Sequence, residues 1–127
     1  MIIREDLRYT KEHEWVKLEK DIATMGITDY AQGELGDIVF VELPKVGAKV
    51  EQMKPFGVIE AVKAVSELFS PVTGEVIEVN TKLESEAGLI NKDTYGEGWI
   101  IKVKVKDQSE VNKLLSAEDY KKLLEQK

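Results

Sequence analysis

The stretch "GVIEAVKAVSELFSPVTGEVIEVN", residues 57–80, sets a single lysine among small and β-branched residues. Val62 precedes Lys63 and Ala64 follows it, so A-V-K-A-V is nearly a mirror about the amine. A lysine amine is ordinarily protonated at neutral pH and is then a poor nucleophile. It is well suited to acylation by another enzyme, which turns the side chain into a neutral tether. Two local structures fit these residues. Val58, Ala61, Val62, Val65, Leu68 and Phe69 recur at helical spacing, with Glu60, Lys63 and Glu67 as solvated charges on the opposite face. The β-branched residues at 58, 59, 62 and 65 argue instead for strands that place Lys63 at a hairpin tip. Periodicity leaves both open.

The remaining chemistry is sparse. The 127 residues include no cysteine, which removes disulfides, thiolate nucleophiles and Cys-ligated zinc. His13 is the one histidine, so a three-histidine metal site within the chain is excluded. No G-x-S-x-G, Walker loop or G-x-G-x-x-G occurs. These absences predict a non-enzyme. Any redox chemistry would come from a group the sequence does not encode. A net charge of −6, with lysines scattered rather than striped, points away from nucleic acid. No apolar run is long enough to cross a bilayer, and the start M-I-I-R-E-D lacks signal- and transit-peptide features, so the expected location is cytoplasmic, unless the sequence is a mature form.

The length suits a single domain, 1–127, of soluble globular class. Runs at Trp15–Leu18 and Ile22–Ile27 around Glu19-Lys20-Asp21 predict an N-terminal hairpin over about 14–28. Thr28 or Asp29 can cap a short helix through Leu35, with Gly36 as its stop. "DIVFVELP" reads as a strand, as do Val76–Val79 and "WIIKVKV" at 99–105. Residues 81–98 read as a long polar loop. Val111, Leu114, Leu115, Tyr120, Leu123 and Leu124 predict C-terminal helices over about 109–125, with Ser116 and Asp119 resembling a capping box. G-D-I-V-F-V at Gly36 and G-E-V-I-E-V at Gly74 echo each other, as two similar β-halves flanking Lys63 would. His13 reads as a strand-edge residue, Trp15 and Trp99 as packing, and Y-G-E-G at 95–98 as a turn.

Four blocks, "HEWV" at 13–16, "GITDYAQGELGDIVFVELPKVG" at 26–47, "EAVKAVSELFSPVTGEVIEVN" at 60–80 and "YGEGWIIKVK" at 95–104, resemble the H proteins of the glycine cleavage system. The likeness runs in order along nearly the whole chain. Ala61 stands where the family often has Ser, and Glu67 where Asp is common. Biotin carriers place methionine on both sides of their lysine, where this chain has Val62 and Ala64. The lipoyl domains of 2-oxo-acid dehydrogenases are shorter, usually read D-K-A, and lack counterparts of the Trp15 region and the C-terminal helices.

The resemblance implies a mainly β fold with peripheral helices, a barrel-sandwich hybrid with the lysine at a β-hairpin tip. It implies lipoate covalently attached to Lys63, and it favours the hairpin over the helix. The implied role is a shuttle. It takes an aminomethyl group from glycine decarboxylase (the P protein) to the aminomethyltransferase (the T protein), and electrons to dihydrolipoyl dehydrogenase (the L protein). A lipoate-attaching enzyme would be a further partner, and the carrier itself a monomer. A lipoate relay to other complexes, or an unmodified binding module, is the alternative. The resemblance further implies that the loaded arm folds back on the protein, where its cationic end needs acceptors. Glu14 and Glu67 match the family's acidic positions. Glu12, two residues before Glu14 on an expected common strand face, would add a third carboxylate.

Overall fold

The computed structural model describes residues 1–126. Among these described residues, nine strands form two antiparallel sheets. They are β1 (Arg8–Tyr9), β2 (Glu14–Glu19), β3 (Ile22–Ile27), β4 (Ile38–Glu42), β5 (Lys49–Val50), β6 (Pro55–Ala61), β7 (Val65–Phe69), β8 (Gly74–Val79) and β9 (Ile101–Val105). The larger sheet runs β1-β2-β3-β9-β8-β5 and the smaller one β4-β6-β7. Four helices lie around them: α1 (Asp29–Leu35), α2 (Leu89–Lys92), α3 (Ser109–Asn112) and α4 (Ala117–Glu125). The architecture is the barrel-sandwich hybrid that the family resemblance implies.

Alternating burial explains the closure. On β6, Ile59 and Ala61 face inward while their neighbours are half-exposed. On β9, Ile101, Val103 and Val105 are buried. These residues meet Val16, Met25, Ile27, Val41, Leu68, Val72 and Val76 in one core shared by both sheets. The two echoing G-acid motifs become β4 and β8, one in each sheet, with the lysine hairpin between them in chain order.

The helix alternative for 58–69 fails. Ala61 N–H donates to Ala64 O across the turn at 2.7 Å, and Glu60 pairs with Val65 in the β6–β7 register. The expected loop over 81–98 is also corrected. It contains a 3-10 turn at Thr81–Glu84 and helix α2. Leu83, Ala87 and Ile90 are buried there, so three apolar residues at helical spacing pin a mostly polar segment to the core. His13 is no strand-edge residue. It lies in the turn before β2 with a left-handed backbone, φ 69°. Thr28 Oγ1 caps α1 by accepting from Ala31 N–H, and Ser116 Oγ caps α4 by accepting from Asp119 N–H.

Gly74 opens β8 opposite Val105. A Cβ there would overlap the Lys104 carbonyl oxygen, a backbone atom that the β8–β9 ladder holds in place. Gly74→Ala is therefore expected to cost roughly 3 kcal/mol or more. Urea unfolding would show it as a lowered midpoint with an unchanged slope. A midpoint equal to the parent's would mean that the ladder yields freely at this end.

Candidate functional site

The tip of the β6–β7 hairpin is Val62-Lys63-Ala64. Lys63 is exposed, and its amine has neither a hydrogen bond nor an ion pair among the described residues. Val62 and Val65 beside it are 75% and 66% exposed, and Phe40 on the adjoining β4 is 47% exposed. Phe40 lies opposite Glu60, which lies opposite Val65. The lysine thus rises from an apolar surface edged by carboxylates, a face suited to being covered by a partner.

Two backbone features hold the tip. Val62 N–H donates to Asp37 O at 3.0 Å, which ties the turn to the loop between α1 and β4. Gly36 caps α1 with φ 80° and ψ −153°, its N–H donating to Gln32 O. This conformation is open in practice only to glycine. The Lys63 stem crosses directly over it: a methyl group on Gly36 would lie 3.3 Å from Lys63 Cε.

Glu14 begins β2 and is 2% exposed. Its Oε1 accepts from Thr10 Oγ1 at 2.5 Å, and its Oε2 faces Phe69 N–H of β7 at 3.4 Å. Thr10 Oγ1 already accepts from the Glu12 and Glu14 amides, so its own proton goes to Oε1. Burial raises the Glu14 carboxyl to about 8, against the smaller opposing pull of the Thr10 and Phe69 bonds; the nearby Glu12 charge adds to the rise. Burial thus favours the neutral acid over the carboxylate at neutral pH. The acid that the sequence offers as an acceptor is thus a buried one rather than a surface carboxylate. Glu67 is exposed on β7, two residues before Phe69. Glu12 does not share a strand face with Glu14. It lies in the turn before β2, exposed, because Thr10 draws both the Glu12 and Glu14 amides onto one hydroxyl and His13 turns the backbone left-handed between them. The structure thus puts Glu14 against the β7 strand that carries Glu67 and leaves Glu12 out on a turn.

The neck of the Glu14 turn is anchored by α4. Tyr120 OH, fully buried, is 2.8 Å from both His13 Nδ1 and Thr28 Oγ1, and its ring stacks on Tyr9. Trp15 Nε1 donates to Thr94 O, which makes that indole core packing. Trp99 is half-buried, with Lys102 Nζ 5.1 Å above its ring. No cluster of His, Asp and Glu able to hold a metal occurs among the described residues, and no helix there is long and apolar enough to cross a membrane.

Known proteins match this chain along its length. A family model described as glycine cleavage H-protein matches residues 7–127. The glycine cleavage system H protein of Rubrobacter xylanophilus is 56% identical over 124 residues, covering 98% of this chain and 96% of its own. That of Staphylococcus carnosus is 52% identical, with 98% of each chain covered. A crystal structure of a glycine cleavage system H protein from Mycobacterium marinum superposes with a TM-score of 0.86 at 37% identity, covering 93% of this chain and 95% of that one. With a family model spanning all but the first six residues, and relatives of this identity sharing both length and fold, the chain belongs to the glycine cleavage H-protein family.

Proposed function

We propose that this protein is the lipoyl-bearing shuttle of glycine cleavage and that Lys63 is its single attachment site. The observation that carries the reading is the unpaired, exposed Lys63 amine at the apex of the paired β6–β7 hairpin. The site fits the group: Val62 and Ala64 leave the amine uncovered, and Gly36 adds no side chain beneath the stem. Bound in amide linkage to Lys63 Nζ, lipoate would supply the reversible disulfide that a cysteine-free chain lacks.

The chain's own part is presentation and shelter. Exposed Val39, Phe40, Val62 and Val65 offer apolar area to each enzyme that must close over the tip: glycine decarboxylase, the aminomethyltransferase, dihydrolipoyl dehydrogenase and the lipoate-attaching enzyme. Glu14 is the proposed acceptor for a cationic cargo. A cation brought against it would favour its ionised form, opposing the rise that burial causes. Glu67, exposed on the same β7 strand, is a weaker contact. Glu12, out on its turn, would act only through the field it adds at Glu14.

Two measurements test the assignment. Co-expressed with a lipoate-attaching enzyme, the chain is expected to gain one lipoyl group by intact mass. The modified protein, and not the bare one, is then expected to let purified glycine decarboxylase exchange the glycine carboxyl with bicarbonate. A chain left unmodified where other carriers are lipoylated overturns the attachment. A lipoylated chain without exchange overturns the glycine role and leaves a lipoate relay.

A further inference from the structure

Asn91, on the short helix α2, spends its whole amide on the loop beneath the lysine. Its Oδ1 accepts from Ile38 N–H at 2.9 Å. Its Nδ2 donates to Gly36 O at 2.9 Å and to Gln32 Oε1 at 3.0 Å. The three partners are the last turn of α1, its cap, and the first residue of β4. The corner from Gly36 to Ile38 is therefore gripped at both ends by one side chain. That corner meets the hairpin tip directly. Asp37 O accepts from Val62 N–H, Ile38 lies opposite Ala61, and the Lys63 stem crosses Gly36.

We propose that Asn91 is a positioning residue for acylation of Lys63: by fixing the Gly36–Ile38 corner it sets the direction in which the amine is offered to the lipoate-attaching enzyme. This rests on the attachment site given above. A lysine on an unsupported tip would spread over many rotamers, at a cost in side-chain entropy whenever an enzyme captures one of them. A seat under the stem removes part of that spread in advance, and misplacement of about 1 Å can cost on the order of 100-fold in rate. Ile90 beside it is fully buried and holds α2 to the core, so the fold does not hang on the Asn91 amide.

The test follows lipoylation kinetics of the full chain with a purified lipoate-attaching enzyme. Asn91→Ala is expected to lower kcat/KM for the protein substrate roughly tenfold or more, with the KM for lipoate unchanged. Asn91→Asp keeps the acceptor for Ile38 but loses both donors, and it is expected to behave alike. Amide exchange supplies a reading that general weakening would not give: Val62 N–H should exchange faster in both variants while Leu68 N–H keeps its protection. Gly36→Ala strains the corner itself and crowds the stem, so it disturbs the same seat without touching Asn91, and it carries the test where an Asn91 variant fails to fold; it too should slow acylation. Folded variants acylated within twofold of the parent, alongside an inert Lys63→Arg, overturn the positioning role alone. A Lys63→Arg chain that still gains lipoate overturns the attachment site instead.

Discussion

Exchanging Glu14 for glutamine is expected to flatten a fall in stability that the parent protein should undergo between about pH 4.5 and pH 8. Burial raises the folded carboxyl from 4.5 to about 8, so across that window the folded chain keeps a proton that the unfolded chain has released. The contribution is fully present below 4.5 and is lost as pH rises through the folded value near 8. At about 1.4 kcal/mol per pH unit, the loss reaches the order of 5 kcal/mol by the alkaline end. Glutamine has no proton to release. Its single oxygen cannot serve both Thr10 and Phe69 as the carboxyl does, which costs about 1 kcal/mol at the acid end. The stability curves should therefore cross, with the parent ahead at pH 5 and the variant ahead at pH 8. Urea midpoints across the range measure this. Parallel curves would mean that Glu14 titrates as an ordinary surface acid and that its burial carries no electrostatic cost.

Lys63→Arg is expected to eliminate lipoylation and, with it, all exchange activity above background. The substitution keeps the charge of the side chain but removes the primary amine, and a guanidinium is not a substrate for amide formation under the same conditions. The tip packs against little beyond the Gly36 corner, so the change in stability should stay within about 0.5 kcal/mol. An unmodified mass with an unaltered unfolding midpoint is the expected pair of results. Residual lipoyl mass on the variant would move the site to another lysine.

The lysine hairpin was legible in the sequence only through long blocks of family likeness. Its own periodicity was ambiguous because Val58, Ala61, Val62 and Val65 satisfy both a helix stripe and a strand run. What separates the two is that Val62 and Val65 are left in solvent, which no burial pattern foresees. The caps at Thr28 and Ser116 were readable because a cap is a local bond over three residues. Glu14 was legible as an acid of interest but not as a buried one. Its burial arises where β2 meets Phe69 of β7, a contact between distant segments. Asn91 carried no signal at all. It is one polar residue in a polar stretch, and its role exists only once Gly36, Ile38 and Gln32 surround it. The His13 turn was missed for a similar reason, since its left-handed backbone accompanies a bond to Tyr120 near the other end of the chain.

The strand order of the larger sheet has a consequence for how the protein is made. Translation delivers the chain from its N-terminus. The β4-β6-β7 sheet, with the lysine at its apex, is complete once residue 69 has emerged. β3, near the start, waits for β9 at Ile101–Val105, and β1 waits for its bridge between Tyr9 and Leu115. Asn91 also emerges after the hairpin it steadies. A nascent chain would thus expose the lysine early but unseated, and gain the seat only as synthesis nears its end. Acylation governed by that seat would act as a receipt for a finished molecule, keeping the group off truncated chains.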